Sequence, residues 1–151
     1  MTKALLTLSV VTVGLMAGLF AAFGYAVMPG LRKTGDATFV SSMRGINQAI
    51  LNPVFGVLFG GALVLLIASL VALRHDAAAR PWVVVALVLY VLTLVVTMVV
   101  NVPLNDRLEA GTGSAETLRA AFESRWVAWN VARALLSTGS LAAVAVALQR
   151  L

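Results

Sequence analysis

Four long apolar segments constrain the fold of this chain more than any other feature. They lie at about residues 5–27, 53–73, 81–100 and 126–148, and each reaches the length of roughly 20 mostly apolar residues that a helix needs to cross a bilayer. Hydrophobic residues make up 61% of the chain and charged residues only 11%, whereas a soluble domain has about 25% charged residues. The sequence therefore predicts an all-α fold in lipid, with residues 1–151 forming one four-helix transmembrane bundle.

The connections before the second and fourth spans are predicted to contain short interfacial helices. Residues 38–51 place apolar side chains at helical spacing, which favours an amphipathic helix at the membrane surface or an extension of the second span. Ser114 begins a capping pattern that predicts a helix leading into the fourth span. Met28-Pro29-Gly30 is expected to end the first span. Pro103 is expected to break the third span at Val102. Residues 106–113 are polar and rich in turn formers.

The distribution of charge bears on orientation and partners. Four spans place both termini on one side, which carries four basic residues and a single acid, Asp76; the basic residues are Lys3, Arg74, Arg80 and Arg150. This favours cytoplasmic termini in the cell membrane, although a count of Lys and Arg on the other side does not point the same way. Topology and anionic headgroups account for the net charge of +5, and no nucleic-acid partner is predicted.

Composition also excludes several kinds of site. The chain has no cysteine and one histidine, His75, in the short second connection. Disulfides, thiolate catalysis and zinc–thiolate sites are excluded, and neither a metal nor a cofactor is predicted. Gly56, Gly60 and Gly61 have the spacing that lets helices approach closely. We expect them to serve packing within the bundle, with a homo-oligomer face as the alternative.

The start of the fourth span carries the most informative polar pattern. Trp126, Trp129, Asn130 and Arg133 follow i, i+3, i+4, i+7 spacing and share a helix face. The tryptophans are typical of an interfacial belt, but Arg133 lies about two turns further in, where a charge is costly unless paired or hydrated. Either Arg133 extends back to the boundary, or it faces inward and binds an anionic group or an acid, with Asp106 the nearest by topology.

These residues are predicted to converge at one end of the bundle. We expect a pocket with apolar walls that suits a planar ligand carrying carbonyl or phenol oxygens. Asp106 is the candidate base and Arg133 the candidate group that stabilises an oxyanion. The candidate ligand-binding residues are Arg44, Asn47, Asn101, Asn105, Trp126, Trp129 and Asn130.

Three motifs make the chain resemble the anthrone oxygenase-like membrane proteins, a family of unknown function. They are Met43-Arg44-Gly45-Ile46-Asn47 with Asn52-Pro53, Asn101-Val102-Pro103-Leu104-Asn105, and Trp126…Trp129-Asn130…Arg133. Some fungal members are assigned to the oxidation of anthrones to anthraquinones. The resemblance therefore implies an oxygenase that acts on a phenolic or quinone-like compound. The lack of a histidine outside the short second connection favours chemistry without a histidine-bound metal, and no cofactor is expected. By position it points to Asn47, Asn101, Asn105, Trp129, Asn130 and Arg133.

Two other functions remain open at this point. A non-catalytic membrane module could bind lipid, a quinone or a protein in the same pocket. A transporter or channel would need a continuous polar path, and the polar residues gather at only one end. The expected partners are therefore membrane lipids and an aromatic or quinone-like small molecule.

Overall fold

Five α-helices and no β-strand make up the protein. The computed structural model describes residues 1–151. The helices are α1 (Thr2–Arg32), α2 (Asp36–Ile50), α3 (Pro53–Ala72), α4 (Arg80–Ala110) and α5 (Ala115–Gln149). All but α2 are long and apolar enough to cross a membrane. The prediction of an all-α protein with four membrane-spanning helices is confirmed.

Side-chain caps set the beginnings of α3 and α5. Asn52 Oδ1 accepts a hydrogen bond from the Phe55 backbone N–H at 3.0 Å, and Pro53 occupies the first turn, where its missing N–H costs nothing. Ser114 Oγ accepts from the Thr117 N–H at 3.2 Å. From this cap α5 runs without a break into the membrane, as the capping pattern predicts.

The prediction that Pro29 and Pro103 end their helices is wrong. α1 continues to Arg32 and α4 continues to Ala110, so the polar turn expected at residues 106–113 shrinks to residues 111–114. In each case a π-helical turn comes just before the proline, at Phe23–Val27 and at Thr97–Asn101. A proline normally clashes with the carbonyl four residues earlier. The wider π turn displaces that carbonyl, and the helix passes through.

The bundle is a closed ring in which α1 packs on α3 and α5, and α4 packs on the same two helices. One apolar core fills the membrane-spanning part of this ring. A second core lies at the end opposite the termini, where α2 buries Phe39, Val40 and Met43 against the ends of the spanning helices. α2 therefore caps the bundle as a separate helix rather than as an extension of α3.

An ionic cluster fixes this cap to α5. Arg119 donates hydrogen bonds to Glu123 at 2.7 Å and to Asp36 at 2.9 Å, and also to the last backbone carbonyl of α1 and to one carbonyl between α1 and α2. Its guanidinium carbon lies 4.5 Å from the centre of the Phe39 ring. Glu123 also accepts from Arg32 at 2.9 Å. Together these contacts hold α2 against α5.

The glycines of α3 do not serve packing within the bundle. A Cβ placed at Gly56, Gly60 or Gly61 would meet no atom within 4 Å, so all three positions face away from the other helices. The prediction of close helix approach at this spacing is wrong. α3 packs against its neighbours through residues such as Ala62, Leu66 and Ser69 instead.

Candidate functional site

A cavity of about 250 Å³ lies where the two cores meet. Phe20 on its wall belongs to the membrane core, and Trp126 belongs to the cap core. All five helices contribute to the lining, and α3 contributes Phe55. Seven of the nine predicted site residues line this cavity: Asn47, Asn101, Asn105, Asp106, Trp126, Asn130 and Arg133.

Arg133 is buried at this cavity and is only 6% exposed. Its Nη2 donates to Asn130 Oδ1 at 3.0 Å, and its Nη1 donates to Thr97 Oγ1 at 3.4 Å. Its guanidinium carbon lies 4.5 Å from the centre of the Phe20 ring and 5.5 Å from a ring centre of Trp126. The side chain therefore faces inward, and the alternative in which it extends back to the boundary is wrong.

No carboxylate pairs with Arg133. The three salt bridges of the protein all belong to the cluster around Arg119 and Glu123. Asp106 lines the cavity but is exposed, because the unbroken helix α4 carries it beyond the buried Asn101. The pairing of Arg133 with Asp106 is therefore not formed. The guanidinium is held by neutral oxygens and aromatic rings.

The asparagines differ in how much of their hydrogen-bonding capacity is used. Both polar atoms of the Asn130 side chain are paired: its Nδ2 donates to the Phe20 carbonyl at 2.9 Å, and its Oδ1 accepts from Arg133. Asn105 Oδ1 accepts from Trp126 Nε1 at 2.8 Å. Asn101 uses only its Nδ2, which donates to the Trp126 carbonyl at 3.4 Å. Asn130 thus orients Arg133, whereas Asn101 retains a free carbonyl oxygen.

Three buried side-chain atoms in the protein lack a hydrogen-bond partner, and all three belong to residues that line the cavity. They are Asn47 Nδ2, Asn101 Oδ1 and Arg133 Nε. The great majority of buried polar groups in proteins are paired, because an unpaired one costs about 1–3 kcal/mol. Two unpaired donors and one unpaired acceptor around one cavity indicate a site for a molecule with complementary oxygens.

Trp129 and Arg44 do not line the cavity, so the expectation that they share its pocket is corrected. Trp129 is 41% exposed. It lies at the edge of the helix face centred on Trp126 and Asn130, and it fits the interfacial belt. Arg44 donates to the Leu108 carbonyl from Nε at 3.0 Å and from Nη2 at 2.8 Å, and to the Gly111 carbonyl at 2.6 Å. It therefore caps the end of α4, where carbonyls are unpaired and a cation is favourable.

This arrangement predicts a structural role for Arg44. Arg44→Met should lower the free energy of unfolding by about 2 kcal/mol, because it removes charged hydrogen bonds to the α4 carbonyls. It should leave ligand affinity unchanged at temperatures where the protein is folded. Thermal unfolding in detergent measures the first effect, with Arg107→Met, a change at an exposed arginine of α4, as the control. A variant of normal stability that no longer binds ligand would contradict this role.

Sequence reasoning missed two side chains that contact Arg133. Thr97 lies four residues before Asn101 on the same face of α4, so helical spacing alone could have included it. Phe20 carries no such signal, because its place beside Arg133 depends on how α1 packs on α5. Phe23 and Phe55 are further wall residues of this kind.

The fold and the cavity define a multi-pass membrane protein whose four-helix bundle encloses a cavity with unpaired polar groups at its capped end. The model of the anthrone oxygenase family matches residues 48–143, which is more than half of the 151 residues. The chain belongs to the anthrone oxygenase family, so the resemblance seen in the motifs is confirmed. No curated protein and no solved structure matches it. The matched segment includes Asn101, Asn105, Asp106, Asn130 and Arg133, and Asn47 lies just before it.

Proposed function

We propose that the protein is a membrane oxygenase that binds a planar phenolic or quinone-like molecule in this cavity and oxidises it with dioxygen. The observation that carries the proposal is that every buried side-chain polar atom without a partner belongs to a residue that lines the cavity. The aromatic walls suit a flat ring system. The donors on Asn47 and Arg133 suit its carbonyl oxygen, and the acceptor on Asn101 suits a hydroxyl group. Membership of the anthrone oxygenase family supports the class of reaction.

The chemistry proposed for an anthrone needs a base and a stabilised oxyanion. The base removes a proton from the methylene carbon, and the electron pair moves onto the carbonyl oxygen to give an enolate. That carbon then bonds to dioxygen, and the resulting hydroperoxide loses water to leave a second carbonyl. The substrate loses two hydrogens and gains one oxygen atom, and the other oxygen atom leaves as water. Dioxygen is the oxidant, so no reductant is required.

The positions of the residues fit the two tasks, removal of a proton and stabilisation of an oxyanion. Arg133 lies inside the cavity, where an oxyanion would be shielded from water and the guanidinium would act strongly on it. Asp106 lies on the exposed rim, from which a proton can pass to water. Asn130 holds the guanidinium in place. No part of this scheme uses a histidine, which agrees with the position of His75 in the short connection between α3 and α4.

Oxygen consumption tests the proposal directly. The protein in lipid nanodiscs, given an anthrone and no reductant, should consume dioxygen and form the anthraquinone in equal amounts. Empty nanodiscs give the rate of spontaneous oxidation. A rate equal to that background, with a protein whose helical circular dichroism is normal, would overturn the proposal. Product analysis by mass spectrometry with labelled dioxygen should place one labelled oxygen atom in the quinone.

The proposed base gives a second prediction. Asp106→Asn should lower turnover about 100-fold, because general base catalysis contributes at least that much in typical enzymes. Stability should be unchanged, since Asp106 is exposed. Glu116→Gln is the matched control: it removes one carboxylate from the same end of the protein, outside the cavity. Equal rates for both variants would show that Asp106 is not the base.

A non-catalytic binding role is the second candidate, and one observation favours it. Leu51 lines the cavity and is 81% exposed, so an apolar side chain marks the rim on the α3 side. Such a rim suits a molecule that arrives from the bilayer, including a lipid or a quinone. Mass spectrometry of molecules that co-purify in mild detergent separates the two functions. A tightly held quinone without oxygen consumption would favour a binding module.

We also propose that the protein lies in the cell membrane with both termini in the cytoplasm and the cavity at the outer end. Lys3, Arg74 and Arg80 support this orientation by their position beside the spans. The chain has no cysteine, so single cysteines can report on orientation. A membrane-impermeant maleimide should label Thr112→Cys in intact cells and Ala77→Cys only in opened cells. The reverse pattern would invert the orientation.

A further inference from the structure

We infer that the cavity binds its ligand as an anion, so that the ligand is a lipophilic weak acid whose ionised oxygen pairs with Arg133. This inference rests on the proposed function and specifies the class of molecule that the cavity selects. The interior of the protein has an unbalanced charge. Arg133 is a buried cation with no carboxylate partner, whereas every salt bridge of the protein lies in the cap cluster.

The imbalance is unusual for a membrane protein. A guanidinium at this depth is costly, and intramembrane cations are normally paired or hydrated. The Asn130 and Thr97 oxygens and the rings of Phe20 and Trp126 offer partial compensation only, because none of them carries a formal negative charge. A bound oxyanion would supply the missing charge. The ligand would thereby complete an ion pair in a site that excludes water.

The hydrogen-bonding pattern gives the anion a place to bind. Arg133 Nε has no partner, and Asn47 Nδ2 is also an unpaired donor. Both residues line the same cavity, and a ligand there can reach the two donors once their side chains rotate toward it. A phenolate or enolate oxygen accepts several hydrogen bonds and has its charge delocalised over a flat ring. Such a ring can lie beside Phe20 and Trp126, which already flank the guanidinium.

Two carboxylates at the rim of the cavity are compatible with entry of the ligand in its neutral, protonated form. Asp106 and Glu109 line the cavity, and both are exposed to solvent, so water and salt weaken their repulsion of an anion. A neutral weak acid can reach this rim and lose its proton there to Asp106. The order of events is then arrival as the acid, ionisation at the rim and binding as the anion beside Arg133.

Binding of lawsone and of its methyl ether tests the inference. Lawsone, a hydroxynaphthoquinone, is a vinylogous acid that is ionised at neutral pH, whereas the methyl ether has the same ring system and cannot ionise. In nanodiscs of phosphatidylcholine, after subtraction of partitioning into empty discs, the protein should bind lawsone about tenfold more tightly or better, which is 1.4 kcal/mol or more. The visible spectrum of bound lawsone should be that of the anion.

Variants separate the role of the charge from that of the cavity. Arg133→Met should bind both compounds equally, because it keeps the length of the side chain and removes the charge. Arg125→Met, a change at an exposed arginine of α5 outside the cavity, should keep the preference for lawsone.

Equal binding of both compounds by the unaltered protein would overturn the inference and leave the oxygenase proposal standing. Failure to bind either compound, in protein that oxidises an anthrone, would also overturn it. If the unaltered protein did not oxidise an anthrone, the proposed function would be overturned instead.

Discussion

Replacing Arg133 by methionine should lower anthrone turnover about 100- to 1,000-fold, the usual effect of removing one group that stabilises an oxyanion. The reason is its position: it is the only guanidinium that lines the cavity, and Asn130 fixes its orientation. Stability should change little, because the lost cost of a buried charge is offset by the loss of the hydrogen-bond donor to the buried Asn130 Oδ1. Oxygen consumption and thermal unfolding of the same preparation measure the two effects.

Two further variants show whether the effect on turnover comes from the charge and the position of Arg133. Arg133→Lys should retain part of the activity, since it keeps the charge but cannot reproduce the planar contacts with Asn130 and the Phe20 ring. Arg125→Met, two turns earlier on α5 and exposed, should have normal turnover. Full activity in Arg133→Met would remove the oxyanion role and, with it, the main catalytic argument for this cavity.

Replacing Phe39 by alanine should have the largest effect on stability, about 3–5 kcal/mol, as is typical for a buried phenylalanine. Phe39 is fully buried, meets Phe122 edge to face with ring centres 6.4 Å apart, and lies beneath the Arg119 guanidinium. Its loss should free α2 from α5. Because α2 carries Asn47, turnover should also fall.

Hydrogen–deuterium exchange is the most direct measurement for this variant. Exchange should rise across residues 36–50 while the membrane spans stay protected. Phe39→Leu is the matched control and should cost much less, since it preserves most of the apolar volume. If α2 in the alanine variant exchanged as slowly as in the unaltered protein, the cap would not depend on this aromatic contact.

The parts of the fold that follow from helical periodicity could be predicted. The four spans, the cap helix and the Ser114 start were all visible in the sequence, because each depends on residues close together in the chain. The same holds for Asn130 and Arg133, which share one face of α5. Trp129 satisfied the same spacing but lies at the edge of that face, and spacing alone does not locate the boundary between lipid and cavity.

The remaining features depend on long-range packing. Helical patterns do not reveal that a π turn lets α4 continue through Pro103. The sequence therefore predicts an end of the third span at Val102, which is too early. Arg44 has the same chemistry as Arg133, and only the approach of α2 to the end of α4 makes it a cap rather than a ligand contact. The outward position of Gly60 likewise depends on which side of α3 its neighbours occupy.

The two π turns also determine the directions in which side chains beyond them point. A π turn amounts to one additional residue in an α-helix, and one residue rotates everything beyond it by about 100°. Asn101 closes the wide turn of α4, and Asn105 follows one turn later. Their direction is therefore set by the wide turn as well as by the helical spacing of the preceding span. Deleting a single residue between positions 97 and 101 would rotate both amides away from the cavity and from Trp126, which each of them contacts, and would shorten the apolar span by only one residue.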